Sequence, residues 1–149
     1  LTSGNSSRLY TALVDQKQYA ASVFTGYGES FDPTLFQVYV TSNKGISTDS
    51  IENTVYGIIN QIAENGITDK ELQKIKNQKL MEFYRSIETI DGKSNSLGTF
   101  ELFYGDYKKM FTAPDEYAKV TIDDVKRVAD TYFKKSNRTV GILKANVED

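Results

Sequence analysis

The sequence predicts an α+β domain in which an antiparallel sheet is covered on one face by helices. Three observations lead there. Two β-rich stretches, residues 19–28 and 35–41, are separated by one short turn, for which an antiparallel hairpin is the cheapest connection. Segments with the apolar spacing of amphipathic helices then follow one another. The resulting order, α-β-β-α-α-α-α-β, lacks the regular β-α-β alternation of a parallel sheet. A chain of 149 residues buries about two-thirds of its extended surface on folding, enough for one hydrophobic core.

Each element has its own signal. Gly4-Asn5-Ser6-Ser7 precedes Arg8-Leu9-Tyr10-Thr11-Ala12-Leu13-Val14, so Ser6 or Ser7 caps a helix with Leu9, Ala12 and Leu13 on its buried face. Residues 19–28 are rich in Tyr, Val, Thr and Ala and suit a strand. Glu29-Ser30-Phe31-Asp32-Pro33 reads as a turn, as does the region of the second proline, Pro114. Residues 35–41 place Phe36, Val38 and Val40 on one face of a second strand. A helix opens at Ser47 or Thr48, carries Ile51, Val55, Ile58, Ile59 and Ile62 as its stripe, and ends at Asn65-Gly66. Thr68-Asp69-Lys70-Glu71 is a capping box for the next helix, whose stripe is Leu72, Ile75, Leu80, Phe83, Tyr84 and Ile87. Asp91-Gly92-Lys93-Ser94-Asn95 is expected to break or kink it. Leu97, Phe100, Phe103, Tyr104 and Tyr107 indicate a further helix ending near Gly105. Thr121-Ile122-Asp123-Asp124 caps the last helix, with Val125, Val128, Ala129 and Tyr132 expected inside, and residues 139–143 form a short closing strand.

Composition excludes several chemistries. The net charge is −2 and no basic block stands out, which argues against nucleic acid as a partner. No apolar run approaches the ~20 residues of a membrane-spanning helix. The chain contains neither Cys nor His. Without them there is no Ser-His-Asp triad, no Cys-His dyad and no His- or Cys-ligated zinc within these residues. The start at Leu1 rather than Met reads as the start of an excerpt whose missing N-terminal part carries what this part lacks.

Two stretches, GNSSRLYTALVDQKQYAASV (residues 4–23) and DEYAKVTIDDVKRVADTYFKKSNRTVGIL (residues 115–143), together with GITDKELQKIKNQ and FELFYGDYKKMF between them, resemble the second, non-metal domain of the pitrilysin-like zinc peptidases, the family that includes mitochondrial processing peptidase and many bacterial zinc proteases. The resemblance covers nearly the whole chain. It implies a catalytically silent C-terminal domain that faces a homologous zinc domain across a closed peptide chamber. That zinc domain would carry an inverted H-x-x-E-H motif with a downstream Glu ligand, its motif Glu serving as general base on zinc-bound water. Zinc is therefore expected in the missing N-terminal domain, and no cofactor in this chain. Many family members supply a substrate-binding Arg and Tyr, spaced R-x6-Y, from the facing domain. The resemblance puts Val14 at the Arg position and Ala21 at the Tyr position, so no catalytic, metal or substrate-binding residue is assigned here. Bacterial members often pair a zinc-bearing subunit with an Arg/Tyr-bearing one, and the VDQKQYA stretch resembles the zinc-subunit version. The implied partners are the N-terminal zinc domain, a homologous subunit and peptide substrates, with a periplasmic location favoured by the bacterial relatives. The alternative is a non-peptidase scaffold, such as the core subunits of respiratory complexes that share the fold.

Other candidate residues have simpler readings. Arg8 at a helix start is structural, and Tyr19 packs the hairpin, because it stands some 6.5 Å along the strand from position 21. Asp123 and Asp124 cap a helix rather than pair for acid-base work. Asn5 and Asn137 fit N-x-[ST] by chance. Glu101, Asp106 and the aromatics around Tyr104 and Tyr107 belong to helix packing. Strand 35–41 offers an edge for peptide addition if it is unpaired. Without further N-terminal strands, the free edges of 19–28, 35–41 and 139–143 are expected to drive self-association.

Overall fold

The computed structural model describes residues 1–28 and 30–144. Its elements are α1 (Arg8–Tyr10), a π-helix (Thr11–Gln16), β1 (Ala20–Gly26), β2 (Gln37–Ser42), α2 (Thr48–Asn65), α3 (Asp69–Ser86), α4 (Ile90–Tyr104), α5 (Lys109–Lys119), α6 (Ile122–Tyr132) and a 3₁₀ turn (Lys135–Asn137). This is the α+β class, with β1 and β2 as an antiparallel pair. The chain divides into two compact units.

The first unit comprises Leu1–Phe24, Tyr39–Asn65 and the described residues from Lys126 on. Its core is aliphatic: Leu9, Leu13, Ala20, Val23, Ile51, Val55, Ile59, Ile62 and Ala129 are all buried. The isoleucine and valine stripe of α2 recurs at helical spacing, so one face goes inward. Leu9 and Leu13 are fully enclosed, each contributing about 1.5–3 kcal/mol of apolar burial. β2 alternates as a half-covered strand should, with Val38 and Val40 half-buried and Gln37, Tyr39 and Thr41 exposed. The opening of α2 follows expectation, as the Asp49 amide donates to Ser47 Oγ at 3.2 Å, and Gly66 closes it at φ 74°.

The second unit comprises Thr25–Val38 and Gly66–Val125. The capping box of α3 is formed: the Glu71 amide donates to Thr68 Oγ1 at 3.2 Å, and the Thr68 amide to Glu71 Oε2 at 2.8 Å. Lys76 Nζ donates to the Ala118 carbonyl at 2.7 Å, tying α3 to the end of α5. Phe31 lies against Phe103 at 4.8 Å between ring centroids. Among the described residues of this unit the buried side chains are Met110 and Ala113 of α5, and α3 and α4 bury none.

Several expectations are corrected. Residues 91–95 do not break a helix; they form the first turns of α4. The break falls at Ile87-Glu88-Thr89, where Thr89 caps α4 by accepting from the Gly92 amide at 3.0 Å. Gly92 is there for space, because a Cβ would run into the Ser86 carbonyl oxygen. Pro114 sits inside α5, not in a turn. It removes one intrahelical donor, yet Met110 and Ala113 anchor the helix by burial. Ser7 occupies the cap position of α1 without a side-chain cap bond. In α6 only Ala129 is buried, while Val128 and Tyr132 remain 39% and 62% exposed. Residues 139–143 have strand-forming composition but no ladder partner among the described residues, and a strand exists only as part of a ladder. Glu29 of the expected turn lies outside the described residues.

Candidate functional site

The face of interest lies in the first unit, where the chain passes from helix to β1. The helix begun at α1 widens at Thr11 into a π-helix, and the Lys17 amide reaches five residues back to the Ala12 carbonyl at 3.1 Å. The turn that follows is tight. Gln18 adopts φ 53°, in the left-handed region that non-glycine residues seldom enter. The Tyr19 amide donates to the Leu13 carbonyl at 2.8 Å. Asn43, just past β2, makes two bonds to this turn: Nδ2 donates to the Gln18 carbonyl at 2.8 Å and its amide to the Tyr19 carbonyl at 2.9 Å. Lys17 Nζ donates to Thr54 Oγ1 at 3.0 Å and stands 5.4 Å from the centre of the Tyr19 ring. Thr54, the buried polar residue of α2, donates its own hydroxyl to the Ser50 carbonyl at 2.8 Å.

On this scaffold Val14 is half-buried in the π-helix and Ala21 is exposed on β1. A valine isopropyl and an alanine methyl give positions 14 and 21 neither donor, acceptor nor charge. Tyr19 is half-buried against Lys17, which agrees with a packing role. Phe24 and Tyr39 stack at 4.7 Å across the two strands, and Arg138 lies 3.5 Å over the Tyr56 ring.

The candidate carboxylates Asp124, Glu101 and Asp106 are occupied by local backbone, and Asp123 lies in the first turn of α6. Asp124 closes a capping box with Thr121, accepting from the Thr121 amide at 3.0 Å while its own amide donates to Thr121 Oγ1 at 3.1 Å. Glu101 accepts from the Tyr107 amide at 3.0 Å and Asp106 from the Lys108 amide at 2.9 Å, so both shape the α4–α5 corner. Among the described residues no cluster of His, Cys, Asp and Glu is placed to hold a metal ion, and no helix is long and apolar enough to cross a membrane. Lys119 has its ammonium raised above the ordinary lysine value, first by its hydrogen bond to Glu116 and then by that carboxylate's charge. A cleft of about 300 Å³ in the second unit is lined by Phe83, Phe100 and Tyr117 with Lys79, Glu82 and Asn95 among its polar residues. Sequence reasoning missed Asn43, Lys17 and Thr54, because the side-chain bonds Asn43–Gln18 and Lys17–Thr54 join residues 25 and 37 apart.

Comparison with known proteins decides the family. Residues 1–79 match the model of the peptidase M16 inactive domain. The chain belongs to the peptidase M16 inactive-domain family. This M16 domain is 25% identical over 146 residues to the Helicobacter pylori zinc protease PqqE, covering 97% of this chain and 32% of that protein. It superposes on the inactive peptidase domain of a candidate zinc protease from Bordetella parapertussis with a TM-score of 0.82, at 26% identity, covering 95% of this chain and 76% of that one. It is also 27% identical over 114 residues to subunit 2 of the rat mitochondrial cytochrome b-c1 complex, covering 75% of this chain and 25% of that one. The M16 domain thus spans about a third or less of the curated relatives it matches.

Proposed function

We propose that this M16 domain is the catalytically silent half of a zinc metalloendopeptidase subunit. It walls a peptide chamber, supports a zinc domain of the same protein and packs beside a homologous partner subunit. The observation that supports the reading is the match of residues 1–79 to the inactive domain in a chain without a single histidine. The neighbouring zinc domain would supply the hydrolytic chemistry, and no residue of this chain takes part in that step. The contribution of these residues is shape and exclusion of water, and their apolar Val14 and Ala21 leave substrate clamping to the partner subunit. The test is cleavage of a quenched fluorogenic peptide by the longer parent with its partner, with and without chelator, beside this domain alone. The reading expects chelator-sensitive cleavage by the parent pair and none by the domain. Cleavage by the domain alone contradicts it.

A second reading has its own support in the identity to the cytochrome b-c1 subunit. There the parent is a structural core subunit. It predicts a parent with no bound zinc and no cleavage under the same assay.

A further inference from the structure

We propose that Asn43 is a positioning residue, a latch that holds the π-helix and the start of β1 in register. Two uncommon backbone features meet here. A π-helix of six residues is rare and concentrates at functional sites. A glutamine at φ 53° is strained and persists only where its surroundings over-determine it. Asn43 supplies that determination, since its side-chain amide and its backbone amide hold consecutive carbonyls, those of Gln18 and Tyr19. The bond at Gln18 needs a donor, so an aspartate of the same shape fails there. The turn's further ties are the backbone bond from the Tyr19 amide to the Leu13 carbonyl and the bond from Lys17 to Thr54, the latter from a flexible side chain on an exposed residue. Because Val14 lies in the π-helix and Ala21 at the start of β1, the latch sets the backbone of both positions.

The functional consequence rests on the chamber-wall reading; the backbone consequence does not. Amide hydrogen exchange in the full-length parent carrying Asn43→Ala or Asn43→Asp tests the latch. Both variants are expected to speed exchange of the Lys17 and Tyr19 amides by about tenfold or more, while Ile59 and Ile62 in α2 keep their protection. Aspartate retains shape and turn preference, so it serves if the alanine variant does not fold. Unchanged exchange at 17 and 19, full protection retained in Asn43→Asp, or equal acceleration at 59 and 62 overturns the latch. In the peptide assay the variants are expected to raise KM severalfold at unchanged kcat. Local acceleration with KM unmoved sustains the latch and overturns its service to a chamber wall.

Discussion

The two units hold themselves together differently. In the first, Leu9, Leu13 and the α2 stripe form a dry aliphatic core, and the backbone oddities at residues 11–18 are held by side chains distant in sequence. In the second, α3 and α4 bury no residue, and order comes from caps, corner hydrogen bonds and the two buried side chains of α5. Apolar side chains there stay open, with Ile90 at 88%, Phe111 at 65% and Leu102 at 62% exposure. The difference teaches where each unit is sensitive: the first to lost volume, the second to lost termini and corners.

The sharpest way to break this contrast is Leu13→Ala. The side chain is fully buried, so the expected cost is about 2–5 kcal/mol by urea unfolding, whereas Ile90→Ala, at an open site, is expected within about 0.5 kcal/mol of the parent. Equal costs would erase the distinction. Gly92→Ala comes next. Its added methyl meets the Ser86 carbonyl, and an expected loss of about 1–3 kcal/mol would show the α3–α4 corner to be set by close approach. Thr68→Ala removes the capping-box acceptor and is expected to cost about 1 kcal/mol, read as earlier melting of α3 by circular dichroism. The smallest effect concerns Lys119. Its folded-state ammonium is raised, so whatever the Glu116 pair contributes is present below the ordinary lysine value and fades as pH rises through the raised one. The pair is exposed, so Lys119→Met is expected to leave stability unchanged from pH 6 to 9, and a clear loss there would mean that the pair matters more than its exposure allows.

Much of the fold was legible because it rests on local chemistry. The capping boxes at Thr68 and Thr121, the glycine stops at 66 and 105 and the α2 stripe are written within a few residues of where they act. What escaped depends on distance. Gly92 read as a breaker because glycine lowers helix propensity, yet it is selected by a carbonyl at the end of α3. Pro114 read as a turn because proline removes a donor, yet burial of Met110 and Ala113 keeps α5 helical. Residues 139–143 read as a strand from composition, but strand formation needs a neighbour that composition cannot supply. At the candidate site, the apolar identity of positions 14 and 21 was plain, while the Asn43 latch joins segments that no periodicity links.

The reading depends most on these residues lacking any place for the hydrolytic metal, and calorimetric titration of zinc into the domain tests that directly. The account predicts no stoichiometric binding, because the chain offers no imidazole or thiolate. Saturable tight binding at one equivalent, abolished by replacing carboxylates of this chain, would contradict it.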